Sequence, residues 1–258
     1  MFSVLLFVRG KRRKQTGALR SACRVKICPG AGTFRFLRTE PAAYGRERKM
    51  KKETLKLYAV TDRSWLGGER LRDQVEKALR GGVSFVQLRE KNLDREQFLR
   101  EAEEIAVLCR TYGVPFVVND DVEIALACGA DGVHVGQEDM SAEEARKLLG
   151  PDKIVGVTCK NVEQALRAQA QGADYLGSGA MFPSVAKPGA EGISMDTLRE
   201  ICAAVSIPVV AIGGISRENL PTLRGTGIAG VAVVSAVFAQ TDIEAASKEL
   251  YQAVTQIL

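Results

Sequence analysis

Polar side chains cluster at the end of a strand-like run in the first half of the chain. Gln87, Arg89 and Lys91 alternate in position, so a continued strand would place all three on one side. Arg89 and Lys91 together suit a multiply charged oxyanion, because a guanidinium makes a forked contact and an ammonium a point contact. The pattern predicts a binding site for a pyrophosphate-like group.

Two carboxylates follow the next two strand-like runs. Asp120 comes after Asn119, and Asp139 follows the run GVHVG. Neighbouring carboxylates repel one another unless a cation lies between them, and hard oxygen ligands without a Cys or His set favour magnesium. They predict a Mg²⁺ site, with one ion per subunit. The alternative is a network of ion pairs on the rim, for example Arg89 with Asp120.

The last two strand-like runs suggest a second anion site. Gly213 and Gly214 follow one run, and Val234 and Ser235 lie in the other. Bare backbone N–H groups after the seventh and eighth strands of α/β barrels often hold a phosphate. The alternative is that the glycines merely permit tight turns.

Between these groups runs the segment YLGSGAMFPSVAKPGAE, residues 175–191. It begins as a buried strand and continues as a long polar loop, a type that is often functional. Lys187 among small residues, with Ser184 nearby, suits an anion; the alternative is a surface loop with a solvated lysine. His134, the only histidine, has no Ser or Cys partner in sequence and is predicted to be structural.

Short β-branched runs alternate with helical ones from Leu57 onward, which predicts βαβ units and a parallel sheet. Eight units favour a single-domain (β/α)8 TIM barrel over residues 55–258, with an open doubly wound sheet as the alternative. The predicted strands are 57–62, 85–90, 115–120, 132–136, 154–159, 175–182, 208–214 and 230–237. The predicted helices are 71–79, 95–109, 122–128, 142–149, 162–170, 195–205, 217–223 and 243–258. Repeated segments such as CGADGV and QGADYLG mark helix ends returning to strands.

Charge divides the chain at about residue 50. Residues 1–50 carry 13 Lys/Arg and 2 Asp/Glu, whereas the remainder carries 23 basic and 29 acidic residues. We expect residues 1–50 to be a basic, disordered or artefactual extension, although a transit peptide or a nucleic-acid-binding arm are alternatives. The acidic remainder favours neither nucleic acid nor membrane as a partner. The scattered cysteines, without an export signal, predict a cytoplasmic protein.

Five motifs in this order resemble the thiamine phosphate synthase family: QLREK (87–91), VVNDD (117–121), GVHVGQEDM (132–140), GADYLGSGAMFPSVAK (172–187) and AIGGI (211–215). The resemblance covers about residues 55–257. It implies a Mg²⁺-dependent transferase of thiamine biosynthesis that condenses 4-amino-2-methyl-5-(diphosphooxymethyl)pyrimidine with 4-methyl-5-(2-phosphooxyethyl)thiazole. The products would be thiamine phosphate and pyrophosphate.

The resemblance also implies roles for individual residues. Arg89, Lys91 and Lys187 would be catalytic, and Asp120 and Asp139 would bind the metal. The implied pyrimidine diphosphate contacts are Gln87, Leu88, Arg89, Glu90, Lys91, Asn119, Thr158 and Lys187. The implied thiazole phosphate contacts are Ser184, Val185, Ala186, Gly214, Val234 and Ser235.

Two positions depart from the family pattern. The family loop usually reads Thr-x-Thr-Lys, so Ala186 has lost a hydroxyl, and Thr158 stands where a serine is usual. A lost neutral hydrogen bond is worth about 1 kcal/mol, which predicts weaker thiazole phosphate binding without loss of activity. A thiazole tautomerase and a non-catalytic phosphate sensor are the rival functions. The sequence does not fix the oligomeric state, and a homo-oligomer is compatible with it.

Overall fold

The computed structural model describes residues 50–184, 189 and 191–258. Residues 1–49 of the predicted extension 1–50, and the loop residues Val185, Ala186 and Lys187, lie outside the described residues. None of the described helices is long and apolar enough to cross a membrane.

Eight parallel strands form a closed barrel in chain order, with the first strand paired to the eighth. The strands are β1 Leu57–Val60, β2 Phe85–Leu88, β3 Phe116–Asn119, β4 Gly132–Val135, β5 Ile154–Cys159, β6 Tyr175–Ser178, β7 Val209–Ile212 and β8 Gly230–Val233. The helices are α1 Leu71–Arg80, α2 Arg95–Tyr112, α3 Val122–Ala127, α4 Ala142–Leu149, α5 Val162–Ala170, α6 Met195–Ala204, α7 Ser235–Phe238 and α8 Ile243–Ile257. The prediction of a (β/α)8 barrel is confirmed, and the open sheet is excluded.

Two buried layers stabilise the barrel, because successive strand residues point to opposite faces. Tyr58 and Phe85 belong to the inner layer, which fills the barrel interior. Leu57, Val86 and Leu88 belong to the outer layer, between strands and helices. The 3-10 helix Lys52–Leu55 precedes β1, and its buried Leu55 packs against the inner layer.

Most predicted elements agree with the structure to within three residues at each end, and three differ more in length or in type. β6 ends at Ser178, short of the predicted residue 182. The run 230–237 leaves the sheet after Val233 and continues as α7, because an apolar run alone does not separate a strand from a short buried helix. The predicted helix 217–223 is a 3-10 helix, Leu220–Leu223, since Pro221 lacks the N–H that a longer helix would need.

Six helices, α2–α6 and α8, begin with a side-chain cap. The capping oxygens accept a backbone N–H from the first helical turn, which satisfies a donor that the helix leaves unpaired. The capping residues are Asp94, Asp121, Ser141, Asn161, Ser194 and Asp242. At the opposite ends, Gly129 and Gly172 adopt φ values of 70° and 90° and return the chain to the sheet, as the repeated motifs predict. The loops after the strands are therefore held at both ends by regular structure.

Candidate active site

The end of β2 and the residues that follow it contribute side chains to three different environments. Gln87 faces the barrel interior, where its Nε2 donates a hydrogen bond to the Tyr58 hydroxyl at 2.5 Å. The Leu88 side chain packs in the outer layer, which leaves its backbone for contacts at the mouth of the barrel. The backbone N–H of Arg89 donates to Thr61 Oγ1 at 3.0 Å, and its guanidinium makes no ion pair with any described residue. Arg89 is thus fixed at its backbone while its cationic head remains available.

Glu90 lies between the two cations but turns into the protein. Its side chain is only 2% exposed and lies 3.4 Å from Arg63 Nη1, which also binds Glu101 at 2.7 and 2.8 Å. Burial and then hydrogen bonding to Glu101 raise the pKa of Glu90 to about 8, although Arg63 acts in the opposite direction. This environment favours the neutral form of Glu90, and the shared contact of Glu90 and Glu101 with Arg63 anchors the segment that carries Arg89 and Lys91. The carboxyl therefore serves the loop structure.

Asp120, which directly follows β3, forms an ion pair with the ammonium group of Lys91. Its carboxylate Oδ2 accepts hydrogen bonds from Lys91 Nζ at 2.7 Å and from Asn119 Nδ2 at 2.5 Å. Its backbone lies in the left-handed region, with φ 63°, and its N–H donates to the carbonyl of His134 at 2.8 Å. Asp, with its short polar side chain, tolerates this conformation better than most residues. The observed rim ion pair joins Asp120 to Lys91, not to Arg89.

Asp139 brings a second carboxylate to the same place. Its Oδ2 accepts the backbone N–H of Gly136 at 2.8 Å, and Ser141, two residues further, begins α4 with a capping box that includes Glu144. Burial raises the pKa of the Asp120 carboxyl; the hydrogen bond from Lys91 opposes this, and Asp139 reinforces it through a hydrogen bond and its charge. The two carboxylates lie within interaction distance of each other, as the sequence predicts.

These carboxylates fit the expected magnesium ion. Two hard oxygen ligands are what Mg²⁺ typically takes from a protein when phosphate and water complete its shell. Within residues 50–184, 189 and 191–258, no cluster of three His, Cys, Asp or Glu side chains suits a metal, so a metal cage made by the protein alone is not found there. Repulsion from Asp139 contributes to the raised pKa of Asp120, and a cation between the two carboxylates would relieve that repulsion.

His134 and Thr158 meet at the inner side of β4 and β5. His134 Nε2 lies 2.9 Å from Thr158 Oγ1, and its Nδ1 lies 2.9 Å from the Tyr175 hydroxyl. Burial lowers the pKa of His134 to about 4. Both ring nitrogens have hydrogen-bond partners, which agrees with a structural histidine. Neither nitrogen is left to act as a base that activates a nucleophile. Tyr58 and Tyr175 were not predicted as site residues, although their position in strand-like runs next to polar strand ends was a usable signal.

The ends of β6, β7 and β8 form the other side of the mouth. Gly213 and Gly214 have φ values of 100° and 61°. A Cβ at Gly214 would lie 2.3 Å from the carbonyl oxygen of Pro183, so the turn fits tightly against the segment after β6. Asn219 Nδ2 donates to the Gly214 carbonyl at 2.9 Å, and Ser235 begins α7. The glycines are required for this close backbone approach.

Ser184 is half-buried on the segment after β6 and makes a polar interaction. Because the strands follow one another around the closed barrel, the predicted site residues fall on two sides of its mouth. Gln87, Lys91, Asn119, Asp120, Asp139 and Thr158 belong to β2–β5 and their loops, whereas Ser184, Gly214, Val234 and Ser235 belong to β6–β8 and their loops.

The described cysteines do not supply a nucleophile. Cys109, Cys128 and Cys159 are buried, Cys202 is partly buried, and all four are free thiols. Burial raises the pKa of Cys109 and Cys159 to about 12 and that of Cys202 to about 11, and it also raises the pKa of Cys128. A thiol with a raised pKa is a poor nucleophile, because the thiolate is the reactive form. The described part of the site favours binding and electrostatic chemistry over covalent catalysis.

The closed barrel, with charged residues gathered at the carboxyl ends of its strands, defines an α/β-barrel enzyme. The family model described as thiamine monophosphate synthase matches residues 57–237. The chain belongs to this family, which confirms the resemblance found in the sequence, and is accordingly a transferase of thiamine biosynthesis.

Individual relatives agree. A thiamine-phosphate synthase of Clostridium tetani is 48% identical over 194 residues, which span 75% of this chain and 93% of the relative. Thiamine-phosphate synthase 2 of Streptococcus pneumoniae is 46% identical over 209 residues, 81% of this chain and all of the relative. The solved structure of thiamine phosphate pyrophosphorylase from Pyrococcus furiosus has a TM-score of 0.73 and 40% identity, with 80% of this chain and 98% of that chain covered.

Proposed function

We propose that this enzyme joins 4-amino-2-methyl-5-(diphosphooxymethyl)pyrimidine, the pyrimidine diphosphate, to 4-methyl-5-(2-phosphooxyethyl)thiazole, the thiazole phosphate. The products are thiamine phosphate and pyrophosphate. The observation that carries the proposal is the two-sided mouth, with cations and paired carboxylates on β2–β4 and glycine turns with a serine on β7–β8. Such a division suits one substrate with a pyrophosphate leaving group and another with a single phosphate.

On the first side, Arg89 and Lys91 bind the diphosphate, and Lys187 joins them from the loop after β6. Asp120 and Asp139 hold Mg²⁺, which when bound supplies further positive charge against the phosphate oxygens. The Lys91–Asp120 ion pair, at 2.7 Å, holds the ammonium beside the end of β3, which supports a role for Lys91 in binding the diphosphate. Asn119, Gln87 and Thr158 contact the pyrimidine.

On the second side, Gly214, Val234 and Ser235 hold the phosphate of the thiazole, with Ser184, Val185 and Ala186 on the neighbouring loop. The tight packing of Gly214 against Pro183 joins the β7 turn to the segment that leads to this loop. The Ala186 position offers only its backbone to the phosphate, which weakens thiazole phosphate binding by roughly the worth of one neutral hydrogen bond, about 1 kcal/mol.

The chemistry needs no protein nucleophile. The bond between the pyrimidine methylene carbon and the diphosphate oxygen breaks, and its electron pair leaves with pyrophosphate. The lone pair of the thiazole nitrogen then forms the new carbon–nitrogen bond, and no proton has to be removed from that nitrogen. The protein stabilises the departing charge through Arg89, Lys91 and Lys187 and holds the two reactants in line. The electron-rich aminopyrimidine favours a dissociative, carbocation-like path.

The test is incubation of the purified full chain with both substrates, with and without Mg²⁺, followed by separation of thiamine phosphate. We expect product only when both substrates and Mg²⁺ are present. Isomerisation or binding of thiazole phosphate without coupling would favour the tautomerase or the sensor and overturn the proposal.

A substitution separates the roles of the two sides. Lys187→Ala is expected to slow pyrophosphate release in a single turnover far more than it weakens thiazole phosphate binding, because Lys187 stabilises the leaving group. Rapid-quench measurement of pyrophosphate, together with titration of thiazole phosphate, checks this. Equal effects on both quantities would contradict the assigned role.

We also propose that the enzyme acts in a reducing compartment such as the cytoplasm, where the free thiols of the described cysteines would persist.

A further inference from the structure

Five side chains form a continuous chain of hydrogen bonds across the barrel interior. Gln87 Nε2 lies 2.5 Å from the Tyr58 hydroxyl, which lies 2.8 Å from the Tyr175 hydroxyl. Tyr175 lies 2.9 Å from His134 Nδ1, and His134 Nε2 lies 2.9 Å from Thr158 Oγ1. The three central residues and Gln87 are buried. The chain therefore connects the side-chain amide on β2 to the hydroxyl on β5.

The distances fit either donor at the Tyr58–Tyr175 and Tyr175–His134 contacts, and the Gln87 contact favours one arrangement. With Gln87 Nε2 as the donor to Tyr58, that arrangement sends the hydroxyl proton of Tyr58 to Tyr175 and that of Tyr175 to His134 Nδ1. A neutral imidazole with an acceptor at Nδ1 carries its proton at Nε2, and it donates that proton to Thr158 Oγ1. Thr158, which is half-buried on β5, then keeps its own hydroxyl proton for a partner other than His134.

Packing alone does not explain the two tyrosine hydroxyls. Phe85 lies beside both rings, with centroid distances of 4.6 and 5.5 Å, and fills the same apolar interior without a hydroxyl. Burying a hydroxyl is unfavourable unless it is hydrogen-bonded. Gly156 also makes room for the Tyr175 ring, since a Cβ there would lie 2.2 Å from Tyr175 Cζ. The interior is thus shaped around this polar chain.

We infer that Tyr58, Tyr175 and His134 are positioning residues that fix the Gln87 amide and the Thr158 hydroxyl for recognition of the aminopyrimidine ring. This inference rests on the proposed function. With one Nε2 proton directed inward, Gln87 presents its Oε1 and its second N–H towards the mouth. That edge complements an exocyclic amino group beside a ring nitrogen, as an amide does with adenine. Thr158, as a donor, complements another ring nitrogen.

The direction of the chain is measurable in the full-length protein without substrate. His134 is the only histidine, so ¹⁵N-labelled histidine gives a single imidazole spectrum. We expect the neutral Nε2–H tautomer in the wild type, and a mixture of tautomers in Tyr175→Phe, which removes the donor to Nδ1. The Nδ1–H tautomer or a mixture in the wild type would overturn the inference.

Steady-state kinetics test the consequence for recognition. Tyr58→Phe frees the Gln87 amide, so KM for the pyrimidine diphosphate should rise about 5- to 10-fold, the worth of roughly one hydrogen bond, while KM for the thiazole phosphate stays unchanged. Tyr112→Phe is the matched control, because its hydroxyl contacts Glu76 on the outer helices. Equal changes in both KM values, or none, would overturn the role in recognition.

The two readouts separate this inference from the proposed function. If the wild type couples no substrates, the proposed function fails, and the role in aminopyrimidine recognition fails with it. The tautomer spectrum would still decide whether the chain runs from Gln87 to Thr158. If Tyr58→Phe does not fold, Tyr175→Phe replaces it. The inference then requires the Nε2–H tautomer in the wild type and weaker binding of pyrimidine diphosphate to Tyr175→Phe, and failure of either would overturn it.

Discussion

Replacing Asp120 by Asn separates metal binding from fold stability. Asn keeps the size of the side chain and tolerates the left-handed backbone at φ 63°, whereas Ala would add strain there. The substitution removes the charge that pairs with Lys91 and that faces Asp139. Only the carboxylate charge therefore changes.

The structure indicates a small effect on stability. The ion pair is open to solvent, with Lys91 53% and Asp120 25% exposed, and pairs of this kind contribute about 0–1 kcal/mol. Burial and Asp139 already disfavour the charged form of Asp120, which offsets part of that contribution. We expect the free energy of unfolding of Asp120→Asn to lie within about 1 kcal/mol of the wild type.

Metal dependence should change much more. Loss of even an outer partner of a metal ligand typically costs about 10- to 100-fold in metal affinity, so we expect the half-saturating Mg²⁺ concentration to rise by at least about that factor. The assay is a Mg²⁺ titration of thiamine phosphate formation at saturating substrates. Asp242→Asn on α8 is the matched control, because Asn caps a helix as well as Asp does.

An unchanged Mg²⁺ requirement in Asp120→Asn would refute the assignment of this carboxylate to the metal. A loss of stability much larger than about 1 kcal/mol would refute the expected small effect on folding, since the loss of activity would then follow from unfolding.

Three further substitutions test the buried groups. Free Glu ionises near pH 4.5, whereas the pKa of Glu90 in the folded protein is about 8, so between these values the folded state holds the extra proton and stability falls as pH rises. Glu90→Gln imitates the protonated form, so urea unfolding should show a weaker fall with pH; an unchanged slope would count against a protonated Glu90. Gly156→Ala places a Cβ 2.2 Å from the Tyr175 ring, whereas the Cβ of Gly177→Ala lies farther from its nearest neighbour, at 3.2 Å from His134. We therefore expect Gly156→Ala to lower the free energy of unfolding by about 1–3 kcal/mol and Gly177→Ala to lower it by less. The reverse order in thermal unfolding would contradict the packing described here.

Much of the barrel was predictable, because the alternation of strand-like and helical runs is a local pattern. The strand ends were less so. The predicted β6 includes residues 179–182, but in the structure the chain leaves the sheet at Ser178, and Gly179 is packed against the backbone of β7. The turn into α7 after Val233 is decided by tertiary packing, which cannot be inferred from an apolar run in the sequence.

The charged side of the site was also predictable, because Arg89, Lys91, Asp120 and Asp139 stand out at strand ends. Which cation pairs with which carboxylate was not, since that depends on the geometry of the loops. The interior network was missed for a related reason. Tyr58 and Tyr175 are 117 positions apart in sequence, and only closure of the barrel brings their hydroxyls to 2.8 Å. The family's loop residues Val185, Ala186 and Lys187 remain predictions.

The division of the mouth between pyrophosphate and phosphate is tested most directly by a crystal structure of the full chain with Mg²⁺, pyrophosphate and thiamine phosphate. The positions of the phosphorus atoms are the quantity to measure. We expect the two atoms of pyrophosphate beside Arg89 and Lys91, with Mg²⁺ on Asp120 and Asp139, and the atom of thiamine phosphate beside Gly214 and Ser235. Pyrophosphate bound at β7–β8, with no ligand at β2–β4, would contradict the account.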